Sequence, residues 1–70
     1  MTEIKAELTG NVWKVKTEAG AQVAEEDELL VLESMKMEIP VTAPRAGTVT
    51  EVRVKEGEIV REGQVLVVLQ

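Results

Sequence analysis

The chain is written twice. Laid against itself so that Gly10 meets Gly47, it matches without a gap: Val12 falls on Val49, Val15 on Val52, Gly20 on Gly57, Val23 on Val60, Leu29 on Leu66, Val31 on Val68 and Leu32 on Leu69. Upstream, Ile4 and Ala6 fall on Val41 and Ala43. Valines align by chance in a valine-rich chain. Glycines in the same frame do not, because each marks a particular backbone requirement. A chain of 70 residues built this way is confined to folds in which a short unit packs against its own copy.

The repeated unit reads as strand and turn. Its apolar residues are mostly valine, leucine and isoleucine, with no Phe or Tyr and one Trp, a set that suits pleated, half-buried strands. In the second half, Val41–Ala43 is extended, and Pro40 belongs at an edge or a strand end. Pro44-Arg45-Ala46-Gly47 turns. Thr48–Lys55 alternates with one slip, which implies a bulge near Thr50-Glu51. Short strands follow at Glu58–Val60 and Val65–Leu69, separated by turns. The first half copies this order, so the sequence predicts an all-β domain of about eight strands and no helix. Such symmetry also lets a small β domain hide its edges. Two positions break it. Glu26 stands where the other half has Gly63, and a left-handed backbone there is costly for Glu, so the two turns are expected to differ. Trp13 stands against Thr50, and either covers the end of the core or sits partly exposed.

Residues 1–70 form one domain, with repeat halves 4–33 and 41–70 and an unmatched hairpin, 34–40, between them. Under a pseudo-twofold axis this linker lies where the other half has the chain termini, so Lys36 is expected on a tight turn at the opposite end from Met1 and Gln70. Met35 and Met37 bracket Lys36, and Glu33 and Glu38 flank the group. Taken without function, Lys36 is a solvated turn lysine like Lys5, Lys14, Lys16 and Lys55, and the methionines cap the end of the core. Against that, a turn has no local need for two apolar neighbours. An exposed lysine offers an amine on a flexible stem, which another enzyme can deprotonate and acylate. A stiff body carrying a long acyl arm then holds that arm at high effective concentration near other active sites.

Composition narrows the alternatives. The chain has no cysteine and no histidine, hence no disulfide, no thiolate metal site and not the usual general base. No nucleophile–base pair is visible, so neither a catalytic nor a metal site is expected. Glu25-Glu26-Asp27-Glu28 lacks the spacing of a calcium loop and aligns with a turn. The formal net charge of -5 argues against nucleic acid, and 44% hydrophobic residues argue against disorder. No apolar run is long enough to span a membrane and no signal peptide is present, so a soluble, cytoplasmic monomer is expected.

The stretch Glu33-Ser34-Met35-Lys36-Met37-Glu38 resembles the attachment hairpin of the biotinyl/lipoyl domain family, whose biotin-carrying members have Met-Lys-Met, usually after Glu-Ala. Ala43-Pro44 before Gly47-Thr48-Val49, and Glu56-Gly57 with Val60-Arg61-Glu62-Gly63-Gln64 before the last strand, fit the same frame. The resemblance covers nearly the whole chain and is closest to the small free-standing attachment proteins. It implies a flattened barrel-sandwich hybrid of two four-stranded antiparallel sheets. It implies biotin joined to Lys36 through an amide by a biotin protein ligase; Met35 and Met37, which frame that lysine, are the expected ligase-recognition residues, with Glu33 and Glu38 as further recognition candidates. It further implies transfer of a carboxyl group from a biotin carboxylase to a carboxyltransferase. Two other roles stay open for this frame. One is a lipoyl carrier on the same lysine, whose tip is typically Asp-Lys-Ala. The other is an unmodified interaction module, in which the lysine is dispensable. The gap-free halves leave no room for the extra thumb loop of some bacterial carriers, and no Ala/Pro-rich linker is present.

Overall fold

The computed structural model describes residues 1–70 and contains eight strands: β1 (Thr2–Lys5), β2 (Gly10–Val15), β3 (Gln22–Val23), β4 (Glu28–Ser34), β5 (Met37–Thr42), β6 (Gly47–Val52), β7 (Ile59–Val60) and β8 (Val65–Leu69). They form two antiparallel four-stranded sheets, ordered β1-β8-β6-β3 and β5-β4-β2-β7. Replacing each strand by its sequence copy turns the first order into the second. In each sheet the two central strands come from one half and the two flanking strands from the other. Each half therefore covers the sheet edges its partner would leave open, which is how so short a chain avoids long unpaired edges.

The irregularities repeat too. Register slips at Trp13 in the β2–β4 pairing and at Thr50 in the β6–β8 pairing, the second being the bulge expected from the sequence. A second pair of slips passes Leu29 in β4 and Leu66 in β8. Leu29 and Leu30 both reach the core, and so do Leu66 and Val67. With Val31 and Val68 covered on the outer faces, the bulges leave four consecutive buried residues in β4 and in β8, where a regular strand would alternate. Strand bounds differ slightly from the sequence reading. β5 begins at Met37, and Pro40 lies inside it, which is tolerated because β5 is an edge strand and the missing N–H faces no partner.

The glycines in register have a shared cause. A Cβ on Gly10 would stand 2.8 Å from the Glu33 carbonyl oxygen, and one on Gly47 would stand 3.1 Å from that of Gln70. At both places a strand crosses close over the end of a central strand. In β4 that end is the base of the linking hairpin.

The turns held a correction. Glu26 was expected to avoid the backbone of Gly63, yet its φ is 71° beside 86° at Gly63. The Glu26 N–H donates to the Ala43 carbonyl at 2.8 Å, as the Gly63 N–H does to that of Ala6 at 2.8 Å. Asp27 Oδ2 accepts from the Ala24 N–H as Gln64 Oε1 does from that of Arg61. The hydrogen bonds that tie this turn across to the other half override the side chain's preference, and the acidic run serves as this turn.

The better-adapted half is a template for the other. Thr17 Oγ1 is buried without a hydrogen-bond partner, and its copy is the buried Val54. Thr17→Val should therefore stabilise the domain by about 1 kcal/mol. Glu26→Gly relieves roughly 1–2 kcal/mol of left-handed strain against about 0.5–1 kcal/mol of added chain entropy, for a smaller net gain. Each should raise the melting temperature by a few degrees in a thermal melt; a fall for Thr17→Val would mean that the hydroxyl is satisfied.

Candidate functional site

The two halves are joined by the hairpin β4–β5. Its last ladder pair is Ser34↔Met37, which leaves Met35 and Lys36 as a two-residue turn. Both have positive φ, 52° and 65°. That is the signature of a type I′ turn, whose twist matches the twist of the flanking strands. Such turns favour Asn-Gly because a side chain at left-handed φ costs energy. Here a methionine and a lysine occupy both positions, so the tip holds strain that a bare connection would not need.

Strand directions set where the tip lies. β1 starts at Thr2, paired with Leu69, and runs away from the termini. The chain then crosses to Gly10 and Asn11, beside Glu33 and next to the tip. At the other end, Arg45 Nε donates to Thr2 Oγ1 at 2.9 Å. In a body 31 Å long and 17 Å across, Lys36 stands at one end and both termini at the other.

Lys36 is exposed and its amine is unengaged. The ion pairs of the molecule join Lys16 to Glu28 and Arg53 to Glu51, and the side chains that donate hydrogen bonds are Lys16, Arg45, Thr50 and Arg53. Met35 is 92% exposed and Met37 63%, and neither packs against the core cluster. The cap reading of the methionines is thereby set aside. Two large apolar side chains stand in solvent around one amine, where adaptable thioethers are available to a partner.

Glu33 and Glu38 face each other directly across the β4–β5 ladder. Like charges in that position repel, and no cation of the chain pairs with either. Their row continues through Asn11 to Ile59 on β7. The sequence reading singled out the two carboxylates but had no means of placing Asn11 and Ile59 beside them, because that requires the pairing of strands from both halves.

A chain of this geometry is similar to known proteins. A family model described as biotin-requiring enzyme matches residues 2–69. A biotin/lipoyl attachment protein of Bacillus subtilis (strain 168) is 50% identical over 66 residues, covering 94% of this chain and 90% of that protein. A biotinylated protein TB7.3 homolog of Mycobacterium leprae (strain TN) is 40% identical over 67 residues, covering 96% of this chain and 94% of that one. Among solved structures, a segment of the urea carboxylase of Kluyveromyces lactis superimposes with a TM-score of 0.92 at 30% identity, covering 99% of this chain and 6% of that one.

The strained turn makes a measurable trade. Replacing Met35 by Asn together with Lys36 by Gly should stabilise the domain by about 1–2 kcal/mol, since both residues tolerate left-handed φ. Urea unfolding of the double variant tests this. No gain in midpoint would mean that the tip carries no strain.

Proposed function

We propose, because this chain belongs to the biotin-requiring enzyme family of attachment domains, that it is a biotin carrier with the group held in amide linkage on Lys36. The observation that carries the choice of residue is the tip itself: an unpaired amine on a two-residue turn, at the end of the body farthest from the termini. Amide formation needs a nitrogen that enters another enzyme's active site without the fold opening. The two-residue turn on a paired hairpin supplies that, and the sheets behind it hold the amine in a fixed direction.

The chain contributes position, not catalysis. Acylation joins Lys36 Nζ to an activated carboxyl carbon supplied by a biotin protein ligase. The bond from that carbon to its leaving group breaks, and the amine gives its proton to a base of the ligase. Once attached, the group supplies a ring nitrogen able to take up a carboxyl group and release it elsewhere. The domain works with biotin-dependent carboxylase machinery, as a monomer that visits a biotin carboxylase and then a carboxyltransferase. Its stiffness turns each visit into a high local concentration of the arm.

Met35 and Met37 favour biotin over lipoate on this lysine. Their exposure leaves them free for the ligase, and an unbranched thioether adapts to a partner surface better than a branched side chain.

Two experiments test the reading. Lys36→Arg keeps charge and length but removes the acylatable amine, so intact mass after co-expression with biotin ligase should show biotin on the wild type and none on the variant. Biotin on Lys14 or Lys55, or a lipoyl mass on Lys36, would refute it. Met35→Leu with Met37→Leu should slow biotin transfer several-fold with little change in melting temperature, since these exposed apolar swaps cost under about 1.5 kcal/mol. Equal initial rates would leave the position of Lys36 as the only signal read.

A further inference from the structure

The duplication supplies an internal control for the surface residues of the two halves, because positions in one sheet have copies in the other. On the outer face of the sheet that carries the tip, the row Glu38–Glu33–Asn11–Ile59 lies directly behind the closing pair Ser34–Met37. The next row holds Pro40, Val31 and Lys14, with Trp13 bulged beside Lys14. Trp13 is 43% exposed and Ile59 70%. Their copies are Thr50 and Gln22, and where Pro40 stands across from Val31 in this sheet, Glu3 stands across from the matched Val68 in the other. These lie on the equivalent outer face of the other sheet, around Val68. The fold thus accepts polar residues at all three positions and places apolar ones only on the sheet that ends in Lys36. Within the chain, Trp13 lies under the Lys14 ammonium, 5.3 Å from the ring centroid, a weak contact at an exposed site, and Thr50 Oγ1 instead donates to the Val68 carbonyl at 3.1 Å; Ile59 packs on no core residue.

We infer that this face, carried by Trp13 and Ile59, is where the enzyme that acylates Lys36 docks, setting an apolar shelf against those two side chains and a basic group against Glu33 and Glu38. The inference rests on the reading of Lys36 given above. Charge complementarity sets the sign: two opposed carboxylates without a cation of their own gain most from a basic partner group. Continuity sets the place: successive same-face rows are about 7 Å apart, so a protein that grips the tip also meets the row of Ile59. Distance selects the acylating enzyme over those that use the finished arm. The unmodified amine reaches no farther than a lysine stem, so the ligase must bring its surface against the domain. A carboxylase meets a longer arm and can act with the body held off. Tryptophan in a partly exposed site is also a common anchor of protein interfaces.

The test borrows the residues of the polar copy. Trp13→Thr with Ile59→Gln should leave the melting temperature within a few degrees of wild type and lower kcat/KM for biotin transfer by at least about tenfold, the scale of losing an interface anchor. The mirror variant, Thr50→Trp with Gln22→Ile, places the same side chains on the far sheet and should be biotinylated at the wild-type rate. A second readout needs no change on the face and so decides the matter if the first variant fails to fold. Trp13 is the one tryptophan, so a 5-fluorotryptophan-labelled Lys36→Arg chain has a single fluorine resonance, which should shift or broaden when unlabelled ligase is added. An unmoved resonance, or wild-type kinetics in the folded Trp13/Ile59 variant, overturns the inference. A variant biotinylated normally but poorly carboxylated would assign the face to a carboxylase and also overturns it. Failure of the wild type to acquire biotin would bring down the reading of Lys36 as well, whereas a biotinylated wild type with an unaffected face variant sinks this inference alone.

Discussion

Everything in this molecule depends on one exchange: the central strands of each half are flanked by the outer strands of the other. β2 and β4 pair with each other and are closed off by β5 and β7, while β6 and β8 are closed off by β1 and β3. A half on its own would be a two-stranded ribbon with both edges open and one apolar face uncovered, which is not independently stable. Neither half is therefore a subdomain. The core is filled from equivalent positions, with Leu29, Leu30 and Leu32 set against Leu66, Val67 and Leu69.

The same exchange produces the Lys36 end of the molecule. For the halves to interlock, the central strand β4 of the first must continue at once into the edge strand β5 of the second, and two residues are enough to make the turn. At the symmetry-equivalent place, where β8 would continue into β1, the chain has its ends instead. The tip is thus a consequence of joining two copies. What joining the halves does not dictate is the choice of Met35 and Lys36 for a turn that glycine and asparagine would fill with less strain. Strain kept at a site with no structural need for those side chains belongs with recognition and chemistry outside the molecule.

Departures from symmetry then separate what the fold requires from what it only tolerates. Glu26 in the place of Gly63, and Thr17 in that of Val54, are local misfits held in place by the surrounding structure. Trp13 and Ile59 are of another kind. Trp13 meets the Lys14 ammonium and neither residue belongs to the core; both lie on the sheet of the tip, and their polar copies show that no core contact demands them.

Much of this was legible in the residues. The gapless repeat laid out the succession of strands and turns along the chain, the slip at Thr50 located a bulge, and the unmatched stretch 34–40 put Lys36 on a turn, because period, glycine placement and turn length are local properties written along the chain. The sequence also marked Lys36 as the candidate site, since a turn has no local need for two methionines around a lysine. Other features needed the folded molecule. The left-handed backbone of Glu26 arises from hydrogen bonds that bind its turn to the other half, and no local propensity registers a bond to a residue far along the chain. The exposure of Met35 and Met37 depended on where the core stops. The row that sets Ile59 beside Glu33 exists only through pairing between halves. Sequence by itself determined what repeats and what the tip is made of; the tertiary structure decided which side chains face outward together, because strand pairing, not chain order, makes neighbours on a sheet.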